Sequence, residues 1–580
     1  MRQGAAARGE GPGGAVFGEA VGVHSEGGVD ALFREPFQDV QGGVLDAVLR
    51  LRPSVLARRH ATTLVRGNLG GGGGVHLGVR WVCVVVAVVA AVVGGAGLGT
   101  ADRGIERRSA VVSGVPVEVV RPDGAAGRLP GVVVAHGLSA SMQLMRGFAD
   151  TLARRGYVVE LVDLAGGGAS RERLPDLGDG PAADARLDRD LDVAVRHLRA
   201  VPGVDGIGLL GHSMGAAAVV RYASAHPEVA ATVAISQGTM PFSASGPRDL
   251  LLVAGGLEFA GYREGAVQGV RAAYPQGRTG VTYGDAAAGT ARRAVIVGGA
   301  EHVGVLFQPR THREVAAWFD RAFGRGGRVS GVGVRPFQRA GSAMLLHLAA
   351  VLRFAAVASV LLGRPGGERG ARAKVPLVLA LGVPVAGVLA AVAVVGVIPR
   401  GVLPVGIAGP LGGFFGVVGL LCGAVSWRRG QGSGRSWKRA LASAVVLVVL
   451  TVVSFAVPAQ LGWAHAVPVG PRVWALLPVA VCAMVFFAGI ELLCGGYSAR
   501  AAALIHAWAA AGALAGLGLA AVLGLVSWLV LLVAPLIAGL LVWQGVQAAA
   551  LRALRAPVWV TALVGGVLLA WPIAVTMPIG

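Results

Sequence analysis

The sequence predicts a chain of two parts: an α/β domain over residues 101–330, with a mostly parallel sheet and helices on both faces, and an all-α multi-pass transmembrane domain over residues 341–577. Three observations carry this expectation. From about 110 to 325, short Val-rich runs alternate with helical stretches studded with Arg and Asp, the texture of strand–helix units around a parallel sheet. After Gly341 come about eight apolar runs of membrane length: 341–362, 375–398, 402–426, 440–462, 473–494, 501–524, 525–547 and 557–577. Within the α/β part, Gly211-His212-Ser213-Met214-Gly215 follows the apolar run 207–210 and opens the helical stretch 216–225, which is the strand, sharp turn and helix of a nucleophile elbow.

Composition agrees. Of 580 residues, 54% are hydrophobic and 14% charged, where a soluble enzyme carries about 25% charged residues. The net charge of +20 is almost all arginine punctuating apolar runs. It reads as membrane topology, because no basic stripe interleaved with exposed aromatics marks a nucleic-acid face. The partners expected are the lipid bilayer and a small-molecule or lipidic acyl substrate, with no nucleic acid. Cys83, Cys422, Cys482 and Cys494 fall inside apolar stretches without metal-site spacing and read as packing residues.

Residues 1–78 are rich in Gly, Ala and Arg without sustained periodicity, and read as a disordered tail or an upstream extension that the mature protein lacks. Residues 79–100 read as a membrane anchor. The charge-free run 81–99 exceeds the 7 to 15 residues or so of a signal-peptide core and ends on only a loose cleavage site. The loops after 341 alternate in charge. Residues 363–374 hold Arg364, Arg369, Arg372 and Lys374; 427–439 hold Arg428, Arg429, Arg435, Lys438 and Arg439; 548–556 hold Arg552 and Arg555. The intervening loops, near Arg400 and over 463–472, hold one arginine each. The positive-inside rule makes the basic loops cytoplasmic and the α/β domain extracytoplasmic, provided that 341–362, with His347 and Arg353, spans the bilayer. Trp427, Trp437, Trp463 and Trp474 stand at expected helix ends, as an aromatic belt requires.

A serine in an elbow needs a base, and His302 is placed for it, on the loop after the strand-like run 294–297. Of the other histidines, His197 lies in a helical stretch, His226 in a turn, His312 near a helix start, and His212, beside the serine, is expected to point away along the chain. A carboxylate must orient the imidazole. Glu258, after the strand and turn 250–257, gives the order Ser, Glu, His and is preferred to Asp249, Asp285 and Glu301. The two N–H donors for an oxyanion are expected from Met214 and Leu138, the latter on the loop after strand-like 131–135, where His136 braces the turn.

These stretches resemble the α/β-hydrolase superfamily, in particular its dienelactone-hydrolase-like and serine-aminopeptidase-like esterase branches. The matching segments are 130–139, 157–170, 208–218, 250–258 and 294–303, over about 215 residues. The resemblance implies a serine hydrolase acting on an ester, thioester or amide without metal or cofactor, with Asp163 and the 166–170 turn structural. Two departures stand out: the acid is Glu, and a recognisable cap over the site is missing. The resemblance does not extend to the membrane domain, whose family is unrecognised. Two alternatives compete with a Ser213-Glu258-His302 hydrolase: a catalytically silent sensor or binding module, and a transporter with an accessory hydrolase domain. The last expects Arg353, His347, Glu491 and His506 to converge on a cavity; the bland reading leaves Arg353, Glu491 and His506 near helix ends, snorkelling.

Overall fold

The computed structural model describes residues 73–176, 179–325, 333–363, 374–397, 408–426 and 436–577. The expectations for residues 1–72, Trp427, Arg400 and most of the basic loops 363–374 and 427–439 lie outside them. The chain enters through helix α1 (Gly73–Gly99) and then builds one nine-stranded sheet. Its strands are β1 (Ile105–Val112), β2 (Val115–Pro122), β3 (Leu129–Ala135), β4 (Val158–Val162), β5 (Val204–His212), β6 (Val229–Ile235), β7 (Leu250–Gly255), β8 (Thr282–Tyr283) and β9 (Arg292–Val297). Their order is β1-β2-β4-β3-β5-β6-β7-β9-β8, parallel from β4 to β9 with antiparallel pairs at both edges. Helices α2 (Met142–Ala153), α3 (Gly180–Ala200), α4 (Met214–Ala225), α5 (Ala260–Arg271) and α6 (Pro309–Ala322) connect the strands. Strands β3, β5, β6 and β7 are continuous apolar runs because both faces are covered; Val132, Val133, Leu209, Leu210, Val233, Leu251 and Val253 are all fully buried. The direction in which strands are added reverses after β4, so that β3 and β5 are neighbours and the loops that follow them lie side by side, the crevice in which open α/β sheets carry their sites. The fold is that of an α/β hydrolase.

Eight helices follow: α7 (Gln338–Leu362), α8 (Leu377–Val397), α9 (Ala408–Ser426), α10 (Trp437–Gly462), α11 (Arg472–Leu493), α12 (Ala499–Val522), α13 (Leu529–Ala553) and α14 (Val558–Thr576). With α1, nine helices among the described residues are long and apolar enough to cross a membrane. The segment in doubt, 341–362, is one unbroken helix, with Arg353 exposed on it. Small residues set the closest helix contacts. A Cβ at Gly416 would meet the Cys482 side chain at 3.4 Å, and one at Gly419 or Gly489 would collide with backbone of the facing helix.

The intramembrane ionisable groups depart from the snorkelling expectation. Glu491 of α11, His506 of α12 and Arg552 of α13 come together: Arg552 donates to Glu491, and His506 Nδ1 lies 3.4 Å from Glu491 Oε1. Glu491 and His506 are buried. No sequence spacing announces a cluster drawn from three helices, in which Glu491 is the shared partner of Arg552 and His506. His347 is likewise buried, its Nδ1 3.1 Å from the Ser454 carbonyl and its Nε2 accepting from Trp463 Nε1 at 3.4 Å. Trp463 therefore belongs to helix packing as well as to the end of α10, whereas Trp437 and Trp474 are exposed.

The sheet is tied to this bundle by charge. Glu118 on β2 accepts from Arg107 Nη1 at 2.7 Å and from Arg146 Nη2 at 2.6 Å; Asp150 accepts from Arg107 and, at 2.8 Å, from Arg339 Nε of α7; Arg146 Nη1 also reaches the Gln460 carbonyl of α10 at 3.1 Å. Burial pushes the Glu118 carboxyl up, and the guanidinium groups of Arg146 and Arg107 more than reverse this, holding it at about 2. A folded-state pKa below the unfolded one contributes stability above the ordinary carboxylate value and loses it as pH falls through the folded value. The expected result is an unfolding temperature, measured in detergent, that drops between about pH 4.5 and pH 2, with Glu118 supplying about 3 kcal/mol of that dependence. Glu118→Gln should start lower and follow a flatter profile; an unchanged slope would remove Glu118 from the acid response.

Candidate active site

Strand β5 ends at His212, and α4 begins at Met214, so Ser213 alone makes the turn. Its backbone sits at φ 53°, ψ −116°, a strained position for a residue with a Cβ. The flanking glycines make it possible. A Cβ at Gly215 would lie 2.5 Å from the His136 carbonyl oxygen, and one at Gly211 would strike the Gly215 carbonyl. The turn is held by Ser213 N donating to the Ile235 carbonyl at 2.9 Å.

The loop after β9 brings His302 to this serine, with His302 Nε2 3.0 Å from Ser213 Oγ. The imidazole is 6% exposed. On its other side Glu258, on the loop after β7, places Oε1 3.4 Å from His302 Nδ1, an ion-pair distance. The same oxygen accepts from Ser236 Oγ at 2.5 Å. The structure thus brings Ser213, His302 and Glu258 into one line from three loops at the same end of the sheet. The rejected carboxylates are engaged elsewhere: Asp249 accepts from Ala291 N at 3.0 Å, Asp285 from Ala287 N at 2.9 Å, and Glu301 from Val303 N at 2.8 Å, closing its own turn. The remaining histidines are also spoken for. His197 pairs with Glu160 at 2.8 Å, His226 Nδ1 lies 2.8 Å from the Tyr222 carbonyl, and His312 Nδ1 lies 2.8 Å from Thr151 Oγ1.

Leu138 and Met214 stand where expected, one on the loop after β3 and one at the first position of α4. The two loops touch, since a Cβ at Gly137 would lie 3.1 Å from Ser213 Cβ. His136 braces this loop: its Nε2 accepts from Leu164 N at 3.1 Å and its Nδ1 faces the Gly137 carbonyl at 2.8 Å. Asp163 accepts from Met142 N and Ala169 N, both at 2.7 Å, tying the 166–170 turn to the start of α2.

His212 departs from expectation. Its ring packs against that of His302, centroids 4.9 Å apart, and its Nε2 lies 2.9 Å from the His302 carbonyl oxygen. A β-strand sends alternate side chains to opposite faces, but His212 is the last residue of β5, where the turn redirects it toward the neighbouring loop. Burial, with His302 beside it, pushes its pKa down to about 3, so it holds the His302 backbone as a neutral donor.

Three contributors carry no sequence signal of their own. Ser236 follows β6 at φ 56° and meets Glu258 through a strand-end neighbour far away in sequence. Tyr262, in the first turn of α5, engages the Ser213 side chain and packs on His302, ring centroids 4.6 Å apart; burial and then Glu258 raise its hydroxyl pKa. Arg263 donates to the Glu258 carbonyl and ties the loop that carries Glu258. Among the described residues no group of three or more His, Cys, Asp or Glu side chains is placed to hold a metal ion.

Residues 130–252 match the model of the serine aminopeptidase family S33, a stretch that contains β3, the elbow and Ser213 but ends before Glu258 and His302. Among solved structures, an esterase from Pyrococcus furiosus is similar at 18% identity and TM-score 0.30, over 38% of this chain and 95% of that one. An epoxide hydrolase from Vigna radiata is similar at 14% identity and TM-score 0.28, over 38% and 99%. No curated protein sequence matches the chain. The domain that carries the family match is a hydrolase domain of the α/β-hydrolase type, joined to a many-helix apolar domain.

Proposed function

We propose that the protein is a membrane-embedded serine hydrolase that cleaves an ester, thioester or amide through an acyl-enzyme. The observation that carries this is the 3.0 Å separation between His302 Nε2 and Ser213 Oγ on a strained elbow. Ser213 Oγ attacks the acyl carbonyl carbon while His302 Nε2 takes the hydroxyl proton, and the oxyanion is met by the N–H groups of Met214 and Leu138. Glu258 stabilises the imidazolium. His302 then gives its proton to the leaving group, and water, deprotonated by His302, releases the acid and restores Ser213.

The hydrolase domain is extracytoplasmic on this reading. Its contacts with the bundle are made by one set of helix ends: Arg339 at the start of α7, Gln460 at the end of α10 and Arg472 at the start of α11. The opposite ends carry Lys374 before α8, Lys438 and Arg439 in α10, Arg500 in α12 and Arg552 in α13. By the positive-inside rule those basic ends are cytoplasmic. The test is labelling with a membrane-impermeant fluorophosphonate in intact and lysed cells, for wild type and Ser213→Ala. Labelling of intact cells that vanishes in Ser213→Ala supports both parts. Labelling only after lysis keeps the hydrolase and reverses its side; no labelling of folded protein in either sample refutes the enzyme.

A further inference from the structure

A cavity of about 260 Å³ lies between the hydrolase domain and the membrane helices. On one side it is walled by Ser139 and Leu144 and by Glu301 and Val303; on the other by the loop residues Trp463 and His465, the first turns of α13 and the last turn of α14. Its hydrolase-side lining comes from the two loops that carry Leu138 and His302. Ser139 follows Leu138 on the loop whose Gly137 abuts Ser213, and Glu301 and Val303 stand on either side of His302.

The walls are of two kinds. Leu532, Val533 and Leu536 of α13 and Val575 of α14 are aliphatic and belong to candidate membrane spans. Near the hydrolase loops the cavity meets polar groups: Ser139 Oγ, buried without a protein partner, and the buried ring of His465. His465 is held there by its backbone N donating to Ser141 Oγ at 2.9 Å. At the rim, Glu301 is exposed on the hydrolase side and Pro535 on the membrane-helix side. An aliphatic trough with a few polar groups at one end suits an amphipathic molecule with one polar head. Its volume is just under the range of about 300–1,000 Å³ usual for small-molecule pockets, so it takes one chain segment and not a whole two-chain lipid.

We propose that the hydrolase-facing ends of α13 and α14, with the 463–471 loop, form the acyl-chain wall of the active site, and that the substrate is a membrane-resident ester. Its aliphatic chain lies against Leu532, Val533, Leu536 and Val575, its polar end meets Ser139 and His465, and its carbonyl carbon reaches Ser213. This rests on the serine-hydrolase reading above and adds the substrate class to it. The membrane domain then supplies the cap that the hydrolase domain lacks.

The test uses the full-length protein in nanodiscs and alkyl fluorophosphonates of two-carbon and eight-carbon chain, with the adduct located by mass spectrometry. Each methylene moved from water to an apolar wall is worth about a fourfold gain. The eight-carbon probe should therefore label Ser213 at least 10-fold faster than the two-carbon probe. Leu536→Trp, which fills the trough, should cut that ratio 10-fold or more, and Leu536→Ala, which strips part of the apolar wall, should lower it by a smaller factor. A ratio near one in the wild type, or one untouched by both variants while Ser213 is labelled, overturns the acyl wall and leaves the hydrolase standing. No Ser213 adduct with either probe overturns both.

Discussion

Alanine at Ser213, alanine at His302 and the two together are expected to lower kcat by the same factor, on the order of 10⁵–10⁶-fold. Residues that act as one nucleophile–base unit lose their effect together: an imidazole 3.0 Å from a missing hydroxyl has no proton to take, and a serine without its base is a weak nucleophile at its own pKa. Multiplying the two single losses would predict a double variant far below the uncatalysed reaction, which is physically empty. What remains in all three is catalysis by the oxyanion donors and substrate binding, about 10³–10⁴-fold over water. Glu258→Gln should cost less, about 10⁴-fold, because it leaves serine and imidazole in contact and removes only the charge that fixes the tautomer and meets the imidazolium. The measurement is kcat for one activated ester across the five proteins, with thermal unfolding to establish that each is folded. If the double variant falls multiplicatively below the singles, the two residues act independently and the proposed mechanism fails.

That arrangement was legible to different degrees for identifiable reasons. The elbow could be read because one of its steric demands is local, Gly211 being needed by the Gly215 carbonyl four residues on, and because Gly215, needed by the end of β3, stands at a fixed distance from Ser213. His302 and Glu258 could be read because an α/β sheet puts its working loops after successive parallel strands, so a strand-like run predicts where a functional side chain emerges. Ser236, Tyr262 and the inward turn of His212 could not. Each touches the site through a neighbour more than 20 residues away or through a side-chain direction set by the turn itself. The same holds in the bundle, where Glu491, His506 and Arg552 come from α11, α12 and α13 and share no period.

The cap shows the limit differently. Counting residues in the α/β domain leaves few for a large cap over the site. Yet the loops beside Ser213 and His302 face Trp463, His465 and the ends of α13 and α14. The proposed cover comes from another part of the same chain, set apart in sequence by the change in hydropathy that would make those helices a suitable wall for an aliphatic chain.

Arg472→Met is expected to destabilise the protein by about 3 kcal/mol or more and to lower its unfolding temperature in detergent by about 6–12 °C. In sequence Arg472 is the lone arginine of the 463–472 loop, a weak topology marker. In the structure it is fully buried, and its guanidinium spans the 166–170 turn, donating to the carbonyls of Gly166, Gly168 and, at 3.2 Å, Ser170. The planar fork explains the residue: one guanidinium can serve three divergent acceptors, where a lysine ammonium is a single point on a flexible stem. Methionine keeps the length and the apolar stem but leaves three buried carbonyls without this donor, at about 1–3 kcal/mol each. Arg472→Lys should recover only part of the loss. Because the turn is tied through Asp163 to the start of α2, directly after the loop that carries Leu138 and Ser139, loosening it should also lower kcat while the Ser213–His302 pair stays intact. Faster proteolysis between 163 and 172 in the Met variant, with fluorophosphonate still reaching Ser213 slowly, would mark Arg472 as the latch between membrane domain and active site. Unchanged stability and turnover would mean that the three carbonyls find water instead and that the remaining contacts, among them Asp150–Arg339, Arg146–Gln460 and Ser141–His465, suffice to hold the two domains.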